Sequence, residues 1–144
     1  MDINDDRISA IVDELKRLKV AEFPNAVAIT YRSLLDMSVT KYLEDNKEMK
    51  NVIAKNSKKA IRPHDWLPTL KMQLQYILDT STIPLGPSGR KALALFLSDS
   101  QKSLTLDALN WFTHIRYTPP IESQLRAFWT NLTPLHELTL QLPT

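Results

Sequence analysis

Residues 24–44 read PNAVAITYRSLLDMSVTKYLE, and this stretch decides the fold class. Apolar side chains recur along it every three to four residues, the spacing that places them on one face of an α-helix. Pro24 suits the first turn of a helix, where its missing amide hydrogen has no helical partner. Ile29, Met37 and Val39 widen the apolar face beyond what a surface helix needs, so we expect this long helix at the centre of a bundle. The main face consists of Val27, Tyr31, Leu34, Leu35, Ser38 and Tyr42.

Helical periodicity also marks the segments on both sides of this stretch. A first helix is expected after a cap at Asn4 or Asp5, a third ends at the turn residues 84–89, and a short fourth runs from Arg90 to about Leu97. A break at Ser98-Asp99-Ser100 precedes a fifth helix, and a last helix opens at Thr118 and ends or kinks at Pro134. The apolar residues that mark these helices are Ile8, Ile11, Val12, Leu15 and Leu18; Leu67, Leu70, Leu74, Ile77 and Leu78; Leu104, Ala108, Leu109, Trp111 and Phe112; and Ile121, Leu125, Phe128 and Leu132.

These elements predict an all-α fold, an antiparallel bundle of five to six helices in a single domain over residues 1–144. A strand alternative survives only in short runs such as residues 138–140, which helix continuation explains equally well. The two glycines argue against a turn-rich β-fold, and the absence of cysteine excludes disulfides, thiolate metal sites and a cysteine nucleophile. No apolar run is long enough to span a membrane, and residues 1–6 are acidic and lack the apolar stretch that a signal peptide contains. We therefore expect a cytoplasmic protein with no membrane partner.

Positive charge is concentrated between Lys47 and Arg62, where six basic residues accompany one acid, Glu48. This basic segment is expected to be a loop over about residues 46–64, because asparagine and serine interrupt any apolar stripe. Two interpretations stay open: a solvated loop, or a phosphate-binding surface whose affinity falls with salt. The candidate nucleic-acid-binding residues are Lys55, Lys58, Lys59 and Arg62.

The three histidines, His64, His114 and His136, match no zinc-ligand spacing. The chain also contains neither a nucleophile elbow nor a glycine-rich phosphate loop. We expect no metal and no cofactor. Arg32 and Asp36 lie one helical turn apart and can pair, which more often ties helices together than performs chemistry. Four large aromatic residues are candidate core or interface anchors: Trp111, Phe112, Phe128 and Trp129.

Two segments resemble a known family. Residues 23–39, FPNAVAITYRSLLDMSV, are similar to the long helix, with its Arg-x-x-x-acid element, of HEPN-like domains in bacterial defence and ParB-nuclease-associated proteins. Residues 106–114, LDALNWFTH, followed by YTP at 117–119 and LRAFW at 125–129, resemble the family stretch in which an Asn-x-x-x-His element precedes a final helix. The resemblance covers about half of the chain, and it implies a compact helical domain that often dimerises and is found as one part of longer proteins.

Active members of this family cleave RNA with an arginine that precedes a histidine by four to six residues. In this chain the positions upstream of His114 hold Asp107, Ala108 and Leu109, so that arginine is missing. A guanidinium matters for this reaction because RNA cleavage builds negative charge on phosphate oxygens. Arg116 or Arg32 could replace the arginine if the fold brings either near His114.

Three hypotheses follow. The first is a non-catalytic interaction module that forms a homodimer, or binds a partner chain, through the aromatic residues, in a defence or nucleic-acid-processing system. The second is a metal-independent ribonuclease with candidate catalytic residues Asn110, His114, Arg116, Arg32 and Asp36. The third is binding of RNA or another nucleic acid through the basic segment.

Overall fold

The computed structural model describes residues 5–56, 66–98, 104–114 and 122–140, with residues 111–114 described by their backbone only. Within these ranges every regular element is a helix, which confirms the all-α class. The helices are α1 (Asp6–Arg17), α2 (Pro24–Asp45), α3 (Met49–Asn56), α4 (Leu70–Asp79), α5 (Pro87–Phe96), α6 (Leu106–His114), α7 (Glu122–Asn131) and α8 (Thr133–Leu140).

The long helix α2 lies at the centre, as its composition predicts, and packs against α1, α3, α4, α6, α7 and α8. Its fully buried residues include Leu35 and Val39, which join side chains of α4, α5, α6 and α8 in the core, and Leu34, which packs with α1 and α8. Ile29 departs from the prediction: it is 53% exposed and does not extend the core face. One narrow side of the central helix therefore faces solvent.

The described ranges contain eight helices, more than the predicted five to six, for two reasons. The segment predicted as a loop over about 46–64 contains α3, whose buried Met49 and Val52 hold it against the bundle. The predicted last helix is divided at Leu132, after which Thr133 and Pro134 begin α8. Its predicted opening at Thr118 lies outside the described residues.

Side-chain caps fix where three helices begin. Asp5 accepts a hydrogen bond from the Ile8 amide and caps α1, as predicted. Thr69 caps α4, so Leu67 precedes that helix and is 59% exposed instead of lying in its apolar stripe. Thr105 caps α6 by accepting from the Ala108 amide.

The start of α5 is fixed by two neighbouring residues. Gly89 lies so close to α8 that an added Cβ would stand 2.9 Å from Pro134 Cβ. Arg90 donates hydrogen bonds of 2.6 to 3.1 Å to four backbone carbonyls at the end of α4 and in the following turn. The carbonyls at the end of α4 have no further helical donor, so the guanidinium supplies one, and in the turn it adds to backbone hydrogen bonds. The four acceptors are the carbonyls of Ile77, Leu78, Thr80 and Ile83.

The residues proposed as a strand alternative, 138–140, belong to α8. In the part of the chain that the structure describes, no helix combines the length and apolarity needed to cross a membrane.

Candidate functional site

Three of the candidate catalytic residues meet where α2 contacts α6. Arg32 Nε donates to Asn110 Oδ1 over 2.7 Å, and Arg32 Nη1 donates to Asp36 Oδ2 over 2.6 Å. The Arg32 side chain is only 18% exposed, whereas Asp36 is 51% exposed. The guanidinium therefore sits at the rim of the core with its charge balanced by the carboxylate, and it links two helices that are distant in sequence.

The chemistry available at this contact depends on what approaches Arg32. Its Nη2 has no recorded hydrogen-bond partner among the described residues, so this nitrogen can donate to an anion. His114 follows Asn110 by four residues and ends α6, so the two positions share a face of that helix. The His114 side chain and the whole of Arg116 lie outside the described residues.

A second polar group, the side chains of His136 and Tyr31, lies buried in the core, and it was not identified as a pair from the sequence. His136 is 1% exposed, and its Nε2 lies 2.8 Å from the Tyr31 hydroxyl. Trp129 stacks on the imidazole at a centroid distance of 4.4 Å. Burial lowers the pKa of His136 to about 3 and raises the pKa of Tyr31, because both charged forms are poorly solvated there. His136 is therefore a neutral core residue.

Sequence reasoning placed His136 in a kinked segment after Pro134. The sequence signal was the apolar residue next to it, Leu135, and the one a helical turn later, Leu140. Both are buried with His136 on the inner face of α8.

Two of the four aromatic residues expected as core or interface anchors have side chains in the described part of the chain. Phe128 is 1% exposed and packs edge-to-face on Phe96 with centroids 6.0 Å apart, so it takes the core role, one of the two roles expected for it. Trp129 is partly buried against Tyr31 and His136. The side chains of Trp111 and Phe112 lie outside the described residues.

The solvent-facing side of α2 offers a different surface. Its exposed residues follow one another at spacings of three and four, the pattern of one helix face. We call this surface the α2 stripe and define it as Ala26, Ile29, Ser33 and Asp36. Phe23, 50% exposed, lies just before the helix, and no charged residue occurs between Phe23 and Tyr31. The stripe was missed because α2 is apolar on several sides, and periodicity alone does not say which side stays open.

Only one of the candidate phosphate-binding residues lies in the described part of the chain. Lys55 is on α3, 2.8 Å from Asp79, and the ion pair lowers the pKa of Asp79. The nearby Glu48 accepts hydrogen bonds from Tyr76 and Asn51, which lower its pKa. Lys55 is thus already engaged with a carboxylate. Lys58, Lys59 and Arg62 lie outside the described residues.

In the described ranges no group of three or more histidine, aspartate or glutamate side chains is arranged to hold a metal ion. The chain was also compared with protein-family models, curated proteins and solved structures, and none of these comparisons gave a match. The α2 stripe and the contact between Arg32 and Asn110 are therefore the two features of the described residues that bear on function.

Proposed function

We propose that this chain is a helical interaction module that self-associates through the α2 stripe. The observation that carries the proposal is the exposure of Ile29, 53%, on a face of the most centrally packed helix that carries no charge before Asp36. Ala26 and Ser33 stand on either side of it, and their short side chains allow a second helix to approach closely. Burying Ile29 on both copies removes apolar surface from water, which favours association.

Single exposed apolar residues are ordinary on soluble proteins and need no explanation. Leu95 on α5 is 63% exposed and illustrates the ordinary case, because Lys91 lies one turn before it on the same face. The α2 stripe differs because small and apolar residues follow one another along it over two turns before the first charge, at Asp36. The resemblance to HEPN-like domains, which often dimerise, also supports a role in a defence or nucleic-acid-processing assembly.

The test is the molar mass from light scattering coupled to size exclusion, measured across a range of protein concentrations. We expect a dimer for the natural sequence and a monomer for Ile29→Glu, because a buried unpaired carboxylate is strongly disfavoured. Leu95→Glu is the matched control, since it places the same charge at another exposed helical position, and it should remain dimeric. A natural chain that stays monomeric at all concentrations, or an Ile29→Glu variant that still dimerises, would contradict the proposal.

A second candidate function is metal-independent RNA cleavage, favoured by the contact between Arg32 and Asn110. In that contact a guanidinium lies beside the helix that ends at His114. Arg32 would then take the role of the arginine that is missing from the family motif. In this scheme Arg32 holds a phosphate oxygen and His114 transfers a proton.

This function predicts RNA cleavage in the presence of a chelator that is lost in both Arg32→Ala and His114→Ala. The control is Arg126→Ala, which removes an exposed arginine paired only with Glu122 on α7. Cleavage that survives either of the first two substitutions would rule out this assignment.

A further inference from the structure

We propose that the two copies of α2 pack antiparallel across a two-fold axis near residue 31, with Asp36 of each copy at the N-terminus of α2 in the other. This inference rests on the proposed self-association and adds the identity of the partner surface, its register and its polar contact. The partner is a second copy of this chain, because each end of the α2 stripe complements the opposite end.

The first end of the stripe is an uncapped helix terminus. Phe23 occupies the cap position of α2 and makes no side-chain hydrogen bond, and the first turn contains no acidic residue. Pro24 has no amide hydrogen, so the amides of Asn25 and Ala26 are the groups left without a helical acceptor. By contrast, α1 and α4 are capped by Asp5 and Thr69, whereas α5, which begins after Gly86, also has no side-chain cap. The positive end of the dipole of the longest described helix therefore has no side-chain cap, and it favours an anion supplied from outside the helix.

The second end of the stripe is a half-exposed carboxylate. Asp36 uses one oxygen, Oδ2, for Arg32, and no hydrogen bond is recorded to its other oxygen among the described residues. Its exposure of 51% leaves room for a further donor. Asp36 lies ten residues after Ala26, which corresponds to about 15 Å along the helix axis. The two ends of one copy are too far apart to satisfy each other.

The register follows from the spacing of the stripe. The midpoint between Ile29 and Ser33 is residue 31, and the midpoint between Ala26 and Asp36 is also residue 31. A two-fold axis at that position therefore places each Ile29 against the partner's Ser33 and each Asp36 against the partner's Ala26. The large side chain meets a small one, and the carboxylate meets free amides. Contacts that are 15 Å apart stay in reach only at a shallow helix crossing of about 20°.

A parallel pairing lacks this complementarity. It would place Asp36 beside the partner's Asp36, bring the two uncapped positive termini together, and stack Ile29 on Ile29. Like charges at close range disfavour that arrangement, whereas the antiparallel one neutralises both ends. A two-fold interface is self-complementary by symmetry, so one pair of contacts is made twice.

Disulfide cross-linking tests the register directly, because the natural chain contains no cysteine. Two variants, Ala26→Cys and Asp36→Cys, are prepared with tags of different size, and each is oxidised alone and after mixing. A disulfide needs Cα atoms within roughly 7 Å. We expect cross-linked dimers only in the mixture, since each cysteine lies opposite the other position. Ser98→Cys, away from α2, is the control for random collision.

The outcomes separate the inference from the proposed function. Cross-links within each variant alone would indicate parallel packing and overturn the register while self-association stands. A dimeric mass without any cross-link would assign the interface to another surface and overturn the inference. A monomeric natural chain would overturn the proposed function itself.

A second measurement addresses the carboxylate. Asp36→Asn should raise the dimer dissociation constant on the order of tenfold, because two helix-terminus contacts are weakened. Glu44→Gln, an exposed acid of α2 outside the stripe, should leave the constant unchanged. An unchanged constant for Asp36→Asn would contradict the proposed contact.

Discussion

Lowering the pH from about 7.5 to about 5.0 should destabilise the fold by about 2 kcal/mol through His136 alone. The imidazole is buried, and its pKa in the folded protein is lowered to about 3 by desolvation, whereas an unfolded chain has the ordinary value near 6.5. Between these two values the unfolded state binds a proton that the folded state excludes. The stabilisation is therefore complete above about pH 6.5 and is lost as the pH falls, by about 1.4 kcal/mol per pH unit.

The magnitude at about pH 5.0 depends little on the folded-state pKa, as long as that pKa stays more than a unit below the pH. Other groups with shifted pKa values act elsewhere. Glu48 and Asp79 have lowered pKa values, so their contributions are lost only below their ordinary values of 4.5 and 3.8. Tyr31 has a raised pKa and titrates in the alkaline range. The window between about pH 5 and 6.5 therefore isolates histidine.

Urea unfolding at several pH values between about 7.5 and about 5.0 measures the free energy of unfolding for the natural chain and for His136→Gln. We expect the natural chain to lose about 2 kcal/mol between the two ends and the variant to lose much less. Tyr31→Phe is the control, because it removes the hydroxyl partner but keeps the imidazole buried, and it should retain the pH dependence. Equal slopes for the natural chain and His136→Gln would refute the reasoning, since the remaining histidines are common to both.

Three further predictions concern stability and are checked by urea unfolding at neutral pH. Arg90→Met should cost about 3 kcal/mol, because it removes the donor to the carbonyls of Ile77 and Leu78 and one of two donors to those of Thr80 and Ile83, and Arg90→Lys should recover only part of this; a loss below 1 kcal/mol would contradict the role. Gly89→Ala should destabilise by about 1 kcal/mol despite alanine's higher helix propensity, because the new Cβ meets Pro134, and a stabilised variant would show that α8 yields. A double-mutant cycle of Arg32→Ala and Asn110→Ala should give a coupling energy of about 1 kcal/mol, whereas additivity would show that the contact does not stabilise the fold.

The central helix was predictable because its signal is local. The apolar periodicity and Pro24 place α2 correctly, and Asp5 is a predictable cap for α1. The solvent exposure of the face of α2 that carries Ile29 was not predictable, because it depends on where α1 and α6 pack. Helix α3 was hidden for another reason: its two apolar anchors, Met49 and Val52, are few, and the surrounding lysines dominate the local composition.

The candidate site also combines one contact that the sequence predicts with others that it does not. The pairing of Arg32 with Asp36 follows from helical spacing, and the structure confirms it. The hydrogen bond from Arg32 to Asn110 joins residues 78 positions apart, and no local pattern specifies such a distance. The burial of His136 likewise required the packing of α8 against α2. The sequence therefore identified Arg32, Asp36 and Asn110 as candidate residues, but the contact between α2 and α6 became known only from the tertiary structure.

The hydrogen bonds of Arg90 to the end of α4 have a consequence for local unfolding of the protein. Its guanidinium belongs to α5 but holds the end of α4 and the turn between the two helices. Fraying of the last turn of α4 would therefore break bonds made from α5, so neither helix end can loosen alone. Local opening is expected to involve both helices as one cooperative unit, with amide protons of α4 and α5 exchanging with solvent together. The Arg90 side chain thus joins α4 and α5 into one unit of local unfolding.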